Sequence, residues 1–414
     1  MIAERVSGLA IGLVIYVLLA RHLGVADFGL LQYAISFCGL LGLLAGLGLD
    51  AIMVRQIVKE PERCGVYLGT SAALRLCAGL AVIVVLMVAS GLSGHDKNLK
   101  WMTLVISLAL LPQALTVVEF FFQARIAARW SSMAKVCAWL AGAAFAGTCI
   151  LTDGPLAVFA GQPLVEALVL AVSLLLAYRM FPGEKVAWSF DRELAVQLLR
   201  EAWPLALSMG LVSLYAHIDR VMVRVLLGDE ATGLYAAAAK VSEAWYFLPA
   251  VIVSSVFPAL VRARETSREH YLRRLQDLFD LMVWMALLIA VPFTLWSDEL
   301  LALFFGEDFR KAGTVLGVHI WTGVLVFLGV ASGRWMILEG MSRAYLGRTL
   351  AGVVANVLGN WILIPRLGMV GAAVSTLAAQ FVVVIAFDAF WPQTRPAFKM
   401  KCRSLLPIHR FRRH

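Results

Sequence analysis

Long apolar runs separated by short polar segments fill almost the whole chain. A membrane-crossing helix needs about 20 mostly apolar residues, and twelve runs approach that length: 6–20, 29–54, 66–91, 101–124, 132–151, 155–179, 203–226, 232–261, 276–297, 312–338, 347–365 and 370–391. The first is short and follows Glu4 and Arg5 almost at once, so it is expected to tilt, to sit in locally thinned bilayer, or to lack residues through a misplaced start. It does not read as a cleaved signal, because no small-residue cleavage site separates it from the next run. The fold class expected is an all-α integral membrane protein with about twelve transmembrane helices.

Composition strengthens this reading. Hydrophobic residues make up 61% of the 414 and charged residues 15%, with a mean hydropathy of +0.82, against about 25% charged in soluble domains. The formal net charge of +9 suits either nucleic-acid binding or basic loops on one side of a membrane, and position decides. Lys and Arg concentrate in loops on the side of the N-terminus, including Arg262, Arg264, Arg268, Arg273, Arg274 and the tail from Arg395 to Arg413, which predicts that both termini are cytosolic. The tail MKCRSLLPIHRFRRH then reads as a contact for anionic lipid headgroups rather than nucleic acid. Loops on the opposite side are short, the longest running from Ser297 to Arg310, too small for an external acceptor domain. The six cysteines have no paired or metal-ligand spacing, and no phosphate loop, zinc-type His pair or nucleophile motif occurs. No enzyme, no cofactor and no metal is expected.

A faint repeat divides the chain. Leu23-Gly24, Gly29-Leu30 and Ala34 recur as Leu227-Gly228, Gly233-Leu234 and Ala238, each displaced by 204 residues. Such pairs also arise by chance in so apolar a chain. Taken as a repeat, six helices per half give both copies one orientation about an axis near the membrane normal. The lobes are then 1–181 and 203–391, joined by a cytosolic linker at 182–202 and followed by a basic tail at 392–414.

Charges inside apolar runs are costly unless they face water or a partner, so they are the candidate functional residues. In the seventh run His217, Arg220 and Arg224 share a helix face, with Asp219 about 100° away; they line either a cavity or an external rim. Lys240 and Glu243, one turn apart, either neutralise each other or serve a substrate. Arg75 and Glu119 are expected to touch. Arg334 has Glu339 nearby, Asp50 and Arg55 bound the inner end of the second run, and Glu166 needs a partner from another helix, water or a proton.

Four stretches resemble a known family: ARHLGVADFGLLQYAISF at 20–37, LGLDAIMVR at 47–55, the segment HIDRVMVRVLLGDEATGLYAAAAKVSEAWYFLPAVIVSSVFPALVR at 217–262, and ANVLGNWILIPRLGMVGAAVSTLAAQ at 355–380. Their order and spacing are similar to those of Wzx-type polysaccharide or oligosaccharide flippases, within the superfamily that includes the multidrug and toxin extruders. The resemblance implies a MATE-like fold of two six-helix lobes around a central cavity, in a bacterial cytoplasmic membrane. It also implies alternating-access export of an undecaprenyl-pyrophosphate-linked glycan, such as an O-antigen or exopolysaccharide unit. Arg can bind phosphate oxygens in pairs, and Tyr215, Trp245 and Tyr246 are either sugar contacts or packing residues. The alternatives are a cation-coupled drug or metabolite exporter and a lipid II flippase. Membrane lipids and other polysaccharide-assembly proteins are the further partners expected, and a monomer is the expected working state. Export is driven by the membrane potential, or by a proton or sodium ion bound at Asp219, Glu166 or Glu243.

Overall fold

The computed structural model describes residues 2–182 and 187–405. Residues 183–186 of the expected linker and 406–414 of the expected tail lie outside the described residues. The described residues are helical throughout apart from turns, with no strand, as a chain in hydrocarbon must be if each backbone group is to be satisfied within its own segment. The longer helices divide between two compact units, Met1–Val221 and Met222–His414.

The first unit holds α1 (Ile2–Gly42), α2 (Asp50–Lys59), α3 (Cys64–Leu92), α4 (Lys97–Leu108), α5 (Val118–Ala124), α6 (Ala128–Leu151), α7 (Gln162–Met180) and most of α8 (Arg192–Leu227). The second holds α9 (Asp229–Glu243), α10 (Phe247–Thr266), α11 (Arg268–Leu295), α12 (Ser297–Phe305), α13 (Gly313–His319), α14 (Thr322–Leu338), α15 (Ser342–Leu367), α16 (Met369–Phe381) and α17 (Arg395–Leu405).

Among the described residues nine helical stretches are long and apolar enough to cross a membrane, and Glu307–His319 with Thr322–Leu338, bent by 43°, makes a tenth if counted as one span. This is a multi-pass membrane protein. The difference from twelve runs lies at two places. Runs 6–20 and 29–54 join in a single stretch, Gly8–Gly46, interrupted only at Gly24. The run 203–226 is helical within α8, but His217, Asp219, Arg220 and Arg224 hold down its hydropathy. The expected external loop Ser297–Arg310 is itself mostly α12.

Gly24 (φ 73°, ψ 176°) and Gly228 (φ 90°, ψ −173°) have nearly the same backbone conformation, each between two helical limbs. A side chain at such an angle is strained, so glycine lets one residue turn the chain. These are the glycines that head the recurring motif.

In the first unit the core gathers at one end, where Met53, Tyr67, Leu68, Phe122, Leu174 and Leu198 are all buried. Helix α8 lies close along α1 because small residues meet there: Gly39 faces the His217 ring, Gly210 faces Leu44, and Gly48, just beyond α1, faces Leu205. Ser213 donates to the Gly39 carbonyl. Residues such as Val84, Leu92 and Leu151 are exposed, as expected of a surface solvated by lipid.

In the second unit α15 and α16 pack together through a polar seam in which Ser375 donates to the Asn356 carbonyl at 2.9 Å. A wide π-helical turn, Val382–Ala386, follows α16. Part of the expected tail is folded: α17 rests on α11, where Gln276 donates to the Met400 carbonyl (3.1 Å) and Ser404 donates to Asp280 (2.7 Å).

Candidate functional site

The first unit encloses a cavity of about 390 Å³ bordered by α3, α5, α6 and α7 and by the start of α2. Three carboxylates, Asp50, Glu119 and Glu166, and two cations, Arg75 and Lys135, line it. The lining thus holds one more carboxyl group than cations.

Each charge is held by a specific neighbour. Arg75, on α3, is almost wholly buried, with a side-chain exposure of 7%, and donates from Nη2 to Asp50 Oδ1 at 3.1 Å, whereas Asp50 is 60% exposed. The guanidinium also lies over the Phe120 ring, 4.8 Å from its centre, and reaches the Thr116 hydroxyl at 3.4 Å. Stacking on the ring and pairing with a solvated carboxylate together offset part of the cost of burying the cation. Lys135, about two turns into α6, pairs with Glu119 at 2.9 Å. Glu166 lies across Gly142, where a methyl group would collide with its carboxylate, and it accepts from the Gln162 amide at 3.0 Å.

Arg75 and Glu119 thus line one cavity without pairing, contrary to expectation. Arg75 stands nearer the start of α2, and Glu119 faces the first turns of α6, so each meets a different opposite charge. Arg55 pairs with Glu201 of α8. It also borders an open groove of about 650 Å³, lined by Asp50, Val54, Val58, Lys59 and Gln123 as well.

In α8, Asp219 is buried while His217 and Arg220 are half-buried. Arg224 donates to Asp229 at 2.6 Å across the turn at Gly228, so this cation already has a carboxylate. Lys240 and Glu243 are half-buried near the end of α9. Arg334 is exposed. Its expected neighbour Glu339 is occupied elsewhere, accepting from Arg264 at 3.2 Å and from the Tyr271 hydroxyl at 2.9 Å.

Sequence reasoning passed over several charges inside the runs, three of which prove to be held in specific contacts. Lys135, Arg348 and Asp388 fall within the runs 132–151, 347–365 and 370–391 but near their ends, where they look like flanking residues. Asp388 and Lys401 form an ion pair of 2.6 Å with both side chains fully buried. Arg348 is 4% exposed and donates to the Ser332 hydroxyl at 2.9 Å.

The class of this multi-pass helical protein comes from its likeness to known proteins. A profile of the family described as polysaccharide biosynthesis protein matches residues 5–264; the chain belongs to that family. It is 22% identical over 391 residues to a probable low-salt glycan biosynthesis flippase of Haloferax volcanii, covering 90% of this chain and 78% of the relative. It is 24% identical over 192 residues to a capsular polysaccharide biosynthesis protein of Staphylococcus aureus, covering 45% of this chain and 48% of that one. Its fold is that of the lipid II flippase MurJ in an inward closed conformation (TM-score 0.77, 14% identity, 98% of this chain and 90% of that one). It is also that of an inward-facing multidrug resistance MATE family transporter (TM-score 0.72, 16% identity, 94% of each chain).

Proposed function

We propose that the protein is a flippase that carries an undecaprenyl-pyrophosphate-linked oligosaccharide from the inner to the outer face of a bacterial cytoplasmic membrane by alternating access. The observation that carries this reading is membership of the polysaccharide biosynthesis family over residues 5–264. The relative similar over most of its length, a glycan biosynthesis flippase by name, supports it. The anionic diphosphate needs cations on its path, and His217 and Arg220 of α8 are the first candidates, with Lys240 of α9. Arg224 would have to exchange Asp229 for the substrate. The groove beside Val54 and Val58, with Arg55 and Lys59 at its edge, suits a prenyl phosphate at the cytosolic side.

The cavity of the first unit has a different part. An excess of one carboxylate suits a proton better than a diphosphate. We assign ion coupling to it, with Glu166 as the group that exchanges. The same excess favours a second reading, a cation-coupled exporter of a small molecule.

The deciding experiment measures which face of the membrane displays the lipid-linked glycan, using a lectin that cannot cross, in cells with and without the protein. Loss of the protein should trap the glycan on the cytosolic face, with rescue by wild type and failure of Arg220→Ala. Normal outward display without the protein would remove the flippase reading, and ion-driven efflux of a cationic dye would then be measured.

A further inference from the structure

The last apolar span ends at Phe390, and α17 begins five residues later, at Arg395. That linker reaches at most about 17 Å. A tighter constraint comes from Lys401, in the middle of α17. Its ammonium donates to the Val384 carbonyl at 2.9 Å and to Asp388 at 2.6 Å, and both acceptors belong to the final turns of the last span. The helix is therefore held at the level where the span leaves the hydrocarbon, rather than hanging free in water. Phe390 and Trp391, 81% and 39% exposed, mark the same level, since aromatic side chains favour the membrane interface.

At about 100° per residue, the surface of α17 divides into three strips. Ala397, Met400, Lys401 and Ser404 form the buried strip that faces the protein. On one flank lie Phe398, Cys402 and Leu405, half-buried or exposed. Arg395, Lys399 and Arg403, spaced by four, form an exposed row opposite the buried strip. Among the described residues none of these three cations is in an ion pair; Arg395 donates only to the Ala389 carbonyl, at 3.3 Å. Three like charges are thus lined up beside an apolar strip, on a helix whose rotation and depth are fixed by a buried ion pair.

We infer that α17 is a docking surface for anionic phospholipid headgroups: Phe398 and Leu405 sit at the acyl boundary, and Arg395, Lys399 and Arg403 meet the headgroup phosphates. The charge row supplies the complementarity, and the anchor on Asp388 supplies the placement. An amphipathic helix free in solution would have to fold as it bound, because eleven residues are too few to hold a helix alone. Here the protein has already met that cost, so the cations act together. Each basic residue near an anionic membrane surface contributes about a fivefold preference, and three together about a hundredfold.

The test is amide hydrogen exchange across 395–405 in the full-length protein, in nanodiscs of phosphatidylcholine alone or of phosphatidylcholine and phosphatidylglycerol in equal parts. The anionic discs should slow exchange in α17 on the order of tenfold to a hundredfold, with α3 and α15 unchanged. The triple variant Arg395→Gln, Lys399→Gln, Arg403→Gln should exchange as wild type does in phosphatidylcholine and lose the response to phosphatidylglycerol, while Lys399→Arg retains it. Equal wild-type rates in both discs would overturn the inference, and so would a triple variant that still responds. Inorganic phosphate that slows exchange to the same extent in neutral discs would overturn the assignment to lipid.

Discussion

Replacing Lys401 by methionine removes an ammonium while keeping a side chain of similar length, so charge changes more than packing. In the native protein this ammonium and the Asp388 carboxylate are both fully buried and 2.6 Å apart. Asp388 Oδ1 has no hydrogen-bond partner, so after the substitution neither carboxylate oxygen has a donor. Removing one member of a buried pair costs about 3–5 kcal/mol, and the bond to Val384 is lost as well. The contacts left to α17 are mainly those of Gln276, Asp280, Ala397 and Ser404. They are too few to absorb that cost, so α17 should detach before the rest of the unit unfolds. Tryptic cleavage at Lys399 and Arg403, read by mass spectrometry, should then accelerate by about two to four orders of magnitude, the same free energy expressed as a rate. Adding Asp388→Asn removes the stranded charge and should recover most of the protection. If Lys401→Met resists trypsin as wild type does, or if the double variant is cleaved faster than the single one, the pair does not anchor the helix.

The remaining predictions concern the first unit and the same anchor. Arg75→Met should cost only about 1–2 kcal/mol in thermal unfolding, because the carboxylate left behind at Asp50 is 60% exposed and stays hydrated; a loss above 4 kcal/mol would mean that Asp50 is sequestered. Gly142→Ala should destabilise by about 1–3 kcal/mol, because its methyl group collides with Glu166, and Glu166→Ala should relieve much of that loss in the double variant; strictly additive losses would contradict the collision. Burial pulls the Lys401 amine down to about 8 from its ordinary 10.5, against the opposing pull of Asp388 and with Arg348 and Cys402 nearby. The docked helix binds fewer protons than the detached one between those values, so docking should strengthen as pH rises from about 8 toward 10.5 and be level below 8. Proteolysis normalised to an unstructured peptide of the same sequence reads this, and protection that falls over that interval would refute it.

Much of the fold was legible because apolar length and glycine placement act locally. The runs lie on helices, and the two glycines of the recurring motif are among those at positive φ that turn the chain between limbs, as Gly306 and Gly368 also do. Pairing was less legible. Which carboxylate meets Arg75 depends on the rotation of α3 and α5 about their axes, and at about 100° per residue a boundary error of one residue changes the neighbour. Asp50 won over Glu119 for that reason, and Lys135, near the start of its run, took Glu119 instead. Glu339 shows the same limit: it is five residues from Arg334 but in space meets Arg264, 75 residues away. The ion pair of Lys401 was hidden because one partner lay in what read as a basic tail beyond the last span.

The turns at Gly24 and Gly228 also set a mechanical property of each unit. A connection of several residues would spread a bend over many dihedrals and damp it, whereas a single glycine concentrates it. The limb of α1 beyond Gly24 runs to Gly42, a lever of about 27 Å. Turning the φ or ψ of that one residue by about 20° would carry the far end by about 9 Å. A small local rotation is thereby geared up into a displacement close to the spacing between packed helices.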